Sequence, residues 1–454
     1  MIKQKISVLV RVRHALGSTS LLAVLGCGSA AYAQTTYNIA GIADFTGPFA
    51  DVMKDITGCR RGVLDWWNDQ VGKSLGVTLK IKEHDARYDV AQVASLWPGI
   101  KAELNPIAVL GLGGPDSNAL QQRLPNDKVP LLLGTAGYGF AWKDGSWVFN
   151  ARATYPHEAA GFYAWYQKKM GGGPLKVGVI SSEVSPAYVD IHKGVERFAK
   201  DNPQILEVVE TIYTEAQPTD LTQQVSRLLR KGATVIQVFN NTASVVATRR
   251  ALQSLGKGNI PVVVSAHNGL LSSGKALGDL NQMEGSFEVY GMAVASEDPT
   301  TARAFFEKLR TQYKTQANFT SPCMMGLATS LLTVRAVEQV VKAKGPAGVT
   351  GADVRAALQT NAVPSERTFG VLPNVKFSNE APFPTSGLAV NIGTIENGKY
   401  KLIEQNAYAR SLVERGEDGG LSSSEAYNLY RSMLSDYIAL EATRFPEMQE
   451  FVAV

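Results

Sequence analysis

The sequence predicts an α/β protein of two similar domains in series, each a parallel sheet with helical crossovers. Three observations carry this expectation. Residues 107–137 read as one βαβ unit. It runs from an apolar stretch (107–112) through the turn Gly113-Gly114-Pro115-Asp116-Ser117 and a helically spaced stretch (118–124) to a second apolar stretch (129–133), which ends in Gly134-Thr135-Ala136-Gly137. A second series of the same kind begins at Leu175. Each apolar run closes in a loop of small polar residues, at the strand ends where open parallel sheets bind ligands. In the 107–137 unit the glycines expose backbone N–H groups, and Ser117 and Thr135 add hydroxyls beside a helix N-terminus. That combination suits a carboxylate or another small anion. The alternative is a pair of ordinary βα loops.

Taken in order, residues 37–45 form the first strand and end in Thr46-Gly47-Pro48. Residues 55–71 form a helix, because Ile56, Cys59, Val63, Trp66, Trp67 and Gln70 recur at three- and four-residue steps. The Trp66-Trp67 pair reads as core and rim of that helix rather than an aromatic box. Residues 77–82 alternate apolar and charged side chains as a second strand, and Asp89 caps a helix running through Leu96. His84 and Asp85 are adjacent on an extended segment and point to opposite faces, so they do not converge on one atom. A short strand (147–150) and an amphipathic helix (159–169) follow the central unit, ending at Gly171-Gly172-Gly173-Pro174.

The second series has strands at 175–181, 207–213, 234–239 and 260–265, with helices at 188–200, 221–231 and 243–255 between them. Its loops carry Asn240-Asn241-Thr242 and Ala266-His267-Asn268-Gly269. Residues 287–294 look extended, and helices cover 300–316, 322–343 and 351–359. Asn397-Gly398 turns a hairpin of 387–395 with 400–403. Ser422 and Glu425 then make a capping box for a terminal helix with Tyr427, Tyr430, Leu434 and Ile438 on one face. That face packs on the body of the protein or on a partner.

The chain has 454 residues, 45% hydrophobic and 19% charged, which is ordinary globular composition and long enough for two or three domains. Its first residues hold Lys3, Lys5, Arg11 and Arg13 and no acid, then a short apolar stretch and Ala31-Tyr32-Ala33. This is the pattern of a secretory signal peptide cleaved after Ala33, too short to span a bilayer. Val24-Leu25-Gly26-Cys27 offers lipid anchoring at Cys27 as an alternative. The whole chain carries 45 basic and 41 acidic residues, and loss of those four bases leaves 41 of each. A neutral mature chain points away from nucleic acid. Cys59 and Cys323 remain, as a disulfide in an oxidising compartment or as two buried thiols. Two distant cysteines and five scattered histidines show no metal-ligand spacing.

Several elements together carry a family resemblance. They are the signal peptide, the Thr46-Gly47-Pro48 loop, the Asp85/Asp89 loop, Gly113 to Ser117, Thr135-Ala136-Gly137, a second α/β half, return helices and a closing hairpin. In that order they resemble the type I periplasmic substrate-binding proteins of ABC transporters, in the branched-chain amino-acid (Leu/Ile/Val-binding) group. The resemblance covers roughly residues 37–403. It implies two Rossmann-like lobes with parallel sheets, joined by three crossovers, with a small solute bound in the cleft between them. The implied division is signal peptide 1–33; lobe 1 from 34–151 and 291–376; lobe 2 from 152–290 and 377–404; and a helical C-terminal extension, 405–454. Cys59 and Cys323 would both fall in lobe 1.

The resemblance also implies a ligand set. Phe45, Thr46, Asp116, Ser117, Thr135, Ala136 and Gly137 come from lobe 1, and Tyr188, Asn240, Asn241, His267 and Asn268 from lobe 2. Amino-acid binders of this kind hold the ammonium with an acid in the second lobe; the matching loops here offer none, and Glu183 and Asp190 are the substitutes outside them. That extends the expected ligands from amino acids to aromatic or aliphatic carboxylates and amides. The implied setting is a monomer in the periplasm that delivers its ligand to an inner-membrane ABC permease, with no cofactor, metal or nucleic acid. The alternatives are a ligand-sensing domain reporting to a membrane sensor, or an exported α/β enzyme. Against the enzyme, the chain has no Gly-x-Ser-x-Gly, no Gly-rich loop followed by Lys-Ser or Lys-Thr, and no dinucleotide fingerprint at 111–114.

Overall fold

The computed structural model describes residues 34–135, 145–152, 155–183, 186–265, 268–360, 362–377 and 390–404. The predicted signal peptide, the predicted C-terminal helix, Ala136, Gly137 and His267 lie outside these residues. The first sheet holds β1 (Thr35–Ala43), β2 (Val77–Asp85), β3 (Ala108–Gly111), β4 (Leu131–Leu133) and β5 (Val148–Asn150), in the order β2-β1-β3-β4-β5 and parallel throughout. Among its helices are α1 (Ala50–Trp67), α2 (Lys73–Leu75), α3 (Val90–Leu104), α4 (Gly114–Leu120) and α5 (Leu124–Asp127). β3 and β4 are apolar on both faces and fully buried, as a parallel sheet covered by helices requires.

The second sheet follows α6 (Tyr155–Met170). It contains β6 (Leu175–Ser181), β7 (Leu206–Tyr213), β8 (Val235–Val238), β9 (Val262–Val264), β10 (Phe287–Tyr290), β11 (Asn391–Glu396) and β12 (Lys399–Glu404), in the order β12-β11-β10-β9-β8-β6-β7. The hairpin strands β11 and β12 pair antiparallel, and the other five strands are parallel. Its helices are α7 (Pro186–Asp201), α8 (Thr222–Arg230), α9 (Thr242–Ser254) and α10 (Leu270–Leu277). Between β10 and β11 the chain returns to the first sheet as α11 (Thr301–Gln312), α12 (Ser321–Lys344) and α13 (Gly351–Thr360). The two lobes therefore exchange the chain three times.

Three elements differ from their sequence expectation for local reasons. The helix expected to end at Leu96 runs on to Leu104 with Pro98 inside it. Proline removes one N–H, which frees the carbonyl of Ala94, and Arg123 Nη1 takes that carbonyl at 3.2 Å. The first helix starts at Ala50 and passes into a π turn at Asn68–Gly72. There the Asn68 amide exchanges two 2.8 Å hydrogen bonds with the backbone of Leu79 and serves as a partner for the edge strand β2. Helix α10 was not expected, because the Leu270-Leu271-Ser272-Ser273-Gly274 stretch carries little helical periodicity.

Trp66 and Trp67 are buried, and Trp66 meets the rings of Phe305 and Phe369 edge-on. The centre of lobe 1 is the packing of α1 on α12. Cys59 and Cys323 are joined there as a disulfide, with their Cα atoms 5.5 Å apart. Gly326 permits this close approach, because a Cβ at that position would lie 2.2 Å from the carbonyl oxygen of Ile56. Gly326→Ala is therefore expected to destabilise the protein by about 1–3 kcal/mol through overpacking. A melting temperature equal to the wild type would show that the helices separate freely.

Candidate functional site

In each sheet the strand order reverses once, between β1 and β3 in the first and between β6 and β8 in the second. Open α/β sheets bind ligands at the carboxyl ends beside such switch points. On the first sheet, the carboxylate of Asp44 accepts from the N–H groups of Gly47 (2.6 Å) and Phe49 (2.8 Å) and shapes the β1–α1 loop. Asp85 accepts from Phe45 N (2.9 Å), Thr46 Oγ1 (2.7 Å) and Arg87 N (3.3 Å), which ties that loop to the next one. Burial raises the Asp85 carboxyl, but the hydrogen bonds from Thr46, Phe45 and Arg87 hold it below the usual range. Phe45 and Thr46 thus sit at an exposed rim, with the Thr46 hydroxyl already committed to Asp85.

The turn after β3 is built on Asp116. Its carboxylate accepts from the N–H groups of Leu112 (2.5 Å) and Gly113 (3.0 Å). Burial pushes its pKa up to about 6 against those hydrogen bonds and the Arg60 charge. Asp116 is spent on its own turn, and the buried Ser117 hydroxyl donates to Gly114 O at 3.1 Å. Thr135 is different. It is 2% exposed, and its Oγ1 has no hydrogen-bond partner among the described residues. A Cβ on Gly113 would lie 2.8 Å from that oxygen and 3.2 Å from the hydroxyl of Tyr88, so the absent side chain lets these two hydroxyls converge.

Tyr88 is the residue that sequence reasoning missed. Its ring is buried edge-on against Phe49, with centroids 4.6 Å apart. Arg87 and Tyr88 both have φ of 54°, two successive non-glycine residues in the left-handed region. Each costs on the order of 1–3 kcal/mol, and such outliers cluster at ligand clamps. The signal available in the sequence was a bulky tyrosine in a βα loop without a glycine.

On the second sheet, Tyr188 is buried in the first turn of α7. Burial lifts its hydroxyl well above the usual range, and Tyr88, Tyr155, Asp51 and Asp44 push the same way, so it faces groups of both lobes. Asn241 caps α9 by accepting from Ser244 N at 3.2 Å, and its amide also donates to Ala216 O. Asn268 is satisfied internally: it donates to Val238 O (3.3 Å) and Asn240 O (3.0 Å) and accepts from Gly269 N (2.8 Å). Asn240 is buried with one long contact, 3.5 Å from its Nδ2 to Ser244 Oγ. Of the expected ligand set, the structure therefore gives Asp116, Asn241 and Asn268 loop-building partners. Thr135 Oγ1 is buried with no partner among the described residues, and Tyr188 stands near Asp44, Asp51 and Tyr88 of the first lobe.

The lobes meet directly. Thr242 Oγ1, at the start of α9, donates to Asp51 Oδ2 at 3.0 Å in the first turn of α1. Beneath this contact lies a buried charge network at the crossovers. Arg152 Nη1 binds Glu158 at 2.7 and 3.0 Å, and its guanidinium lies 4.6 Å from the Tyr155 ring centroid and 4.5 Å from that of Tyr290. Gly291 N donates to Glu158 Oε1 at 2.7 Å, which links the first crossover to the second. Glu288 accepts from Leu270 N (2.7 Å) and from Ser321 Oγ, joining the second crossover to helices of both lobes. Among the described residues no three His, Cys, Asp or Glu side chains are grouped to hold a metal.

The sequence profile of the periplasmic binding protein family matches residues 36–386. No curated protein matches the chain. Several solved structures share the fold. A branched-chain amino-acid ABC transporter protein from Thermus thermophilus with bound valine is 14% identical, with a TM-score of 0.72, over 88% of this chain and 98% of that one. An ABC transporter solute-binding protein from R. palustris in complex with 4-hydroxybenzoate is 18% identical, with a TM-score of 0.66, over 82% and 96%. A fatty acid ABC transporter substrate-binding protein from Thermomonospora curvata is 19% identical, with a TM-score of 0.67, over 87% and 94%. With a family profile covering most of its length and two parallel-sheet lobes that meet through Thr242 and Asp51, the chain belongs to the periplasmic binding protein family.

Proposed function

We propose that the protein captures a small carboxylate-bearing solute between lobe 1 (34–151 and 291–376) and lobe 2 (152–290 and 377–404). It closes on the solute and delivers it to an inner-membrane ABC permease. The observation that carries this reading is the buried Thr135 hydroxyl, which has no partner among the described residues and lies near Tyr88, because a buried polar group without a partner is costly until a ligand satisfies it. Valine, 4-hydroxybenzoate and fatty acids, bound by the proteins similar to this chain, share a carboxylate. The two second-lobe loops of the expected ligand set carry Asn240, Asn241 and Asn268 and no acid among the described residues, and Glu183 stands in the separate β6–α7 loop, so the ligand favoured is one without an ammonium group. The protein acts in the periplasm as a monomer after cleavage at Ala33, and it binds rather than transforms its solute.

The test is mass spectrometry of compounds released from natively purified protein, followed by a thermal-shift panel of amino acids, aromatic acids, aliphatic acids and amides. A ligand at a hundred times its Kd adds about 2.7 kcal/mol of stability. Stabilisation by a carboxylate lacking an amine is the expected result, and a panel with no stabilising compound would overturn the reading. Thr135→Val is expected to weaken binding of that carboxylate by about 1–3 kcal/mol, with the melting temperature of the free protein unchanged or raised. An unchanged Kd in titration calorimetry would remove Thr135 from the site.

A further inference from the structure

The outer face of lobe 1 carries a cavity of about 410 Å³ between α12, α13 and the 3-10 turn Ser365–Thr368. Its polar lining includes Arg335, Glu338, Lys342 and Arg367, and Leu358 and Val363 supply apolar wall. Glu338 is nearly fully buried and receives all three cations. Arg335 Nη1 and Arg367 Nη2 both reach its Oε2 at 2.8 Å, and Lys342 Nζ reaches Oε1 at 2.6 Å. Three positive groups therefore surround one negative group. The two guanidiniums crowd a single oxygen and repel each other, and only one of the three positive charges is neutralised.

The cluster is also held in place before any ligand arrives. The guanidinium of Arg335 lies 5.2 Å from the Trp66 ring centroid and 5.9 Å from that of Phe369, and its Nε donates to Arg367 O at 3.0 Å. Arg335 Nη2 and Arg367 Nε and Nη1 have no hydrogen-bond partner among the described residues. Those free donors and the excess charge border a cavity with an apolar wall. Guanidinium forks and an ammonium arriving from different elements match the several oxygens of a tetrahedral dianion better than the flat edge of one carboxylate.

We propose that this cavity is a second ligand site, separate from the interlobe cleft, and that it takes a small organic phosphate monoester. The phosphate oxygens accept from Arg335 Nη2 and Arg367 Nε and Nη1, the donors that Glu338 leaves open, within reach of Lys342, and the organic part lies against Leu358 and Val363. The test is titration calorimetry of the full chain with phenyl phosphate. The wild type should show one saturable site. Arg367→Ala should weaken binding at least tenfold and Lys342→Ala several-fold, while Thr135→Val leaves it unchanged. Arg367 and Lys342 are about half exposed, and Glu338 keeps its buried partner Arg335 in either variant, so both variants should melt close to the wild type. No saturable binding to the wild type, equal affinity in Arg367→Ala, or loss of binding in Thr135→Val would each overturn the proposal; the last would place the probe in the interlobe cleft.

Discussion

Arg152→Met should lose about 3–5 kcal/mol of stability, because it strands Glu158 as a fully buried carboxylate without its cation. The methionine fills a similar volume between Tyr155 and Tyr290, so the loss is electrostatic rather than a cavity effect. This makes the result depend on pH in a defined direction. Burial lifts the Glu158 carboxyl from 4.5 to about 7, against the opposing pull of Arg152 and the Gly291 N–H. A folded pKa above the unfolded one means that the protonated form favours folding. The contribution is complete below pH 4.5 and is lost as pH rises through about 7. Without Arg152 the folded pKa climbs further and the lost stability extends to higher pH. Denaturant unfolding should therefore show a small difference between variant and wild type at pH 5 and the full difference at pH 8. Equal differences at both would mean that Glu158 is not the source. Because this network joins two crossovers, the variant should also bind the cleft ligand more weakly, through a loosened hinge.

The Cys59→Ala/Cys323→Ala double variant should lose about 3–5 kcal/mol, near the upper end for a disulfide. The bond spans a sequence separation of 264 residues, so in the chain-entropy account it removes a very large loop from the unfolded ensemble. It also clamps α1 to α12 at the contact that Gly326 permits. Equilibrium unfolding with and without reductant gives the comparison. The wild type under reductant should approach the double variant, and a loss below about 1 kcal/mol would show that packing alone holds the two helices.

Much of the architecture was legible because local pattern and tertiary environment agree. Runs such as Val109–Leu110 and Leu131–Leu133 are apolar on both faces because helices cover both sides of a parallel sheet, and the short apolar run bounded by polar glycine turns reveals that. The crossovers came from the family resemblance rather than from periodicity, and in the structure Asn150 and Tyr290 end strands before the chain passes to α6 and α11. Element ends were less legible: the helix expected to stop at Leu96 continues past Pro98, where Arg123 from another segment donates to the Ala94 carbonyl that proline leaves free.

The candidate site divided along a different line. Sequence alone determined which loops lie at the carboxyl ends of the strands, and so the neighbourhood of the site, because strand direction follows from the alternation of strands and helices. It did not determine which side chains in those loops remain available to a ligand. Asp116, Asn241 and Asn268 look like ligand groups in a sequence, yet each is used by backbone N–H or C=O groups within its own turn or an adjoining loop. The hydroxyls of Thr135 and Tyr88, 47 positions apart, both approach Gly113 because it has no side chain. Arg335 and Arg367 likewise share a carboxylate across 32 residues. The physical reason is common to all of these: secondary structure is set by residues a few positions apart, whereas the satisfaction of a hydrogen bond or a charge depends on what the fold brings within 3 Å.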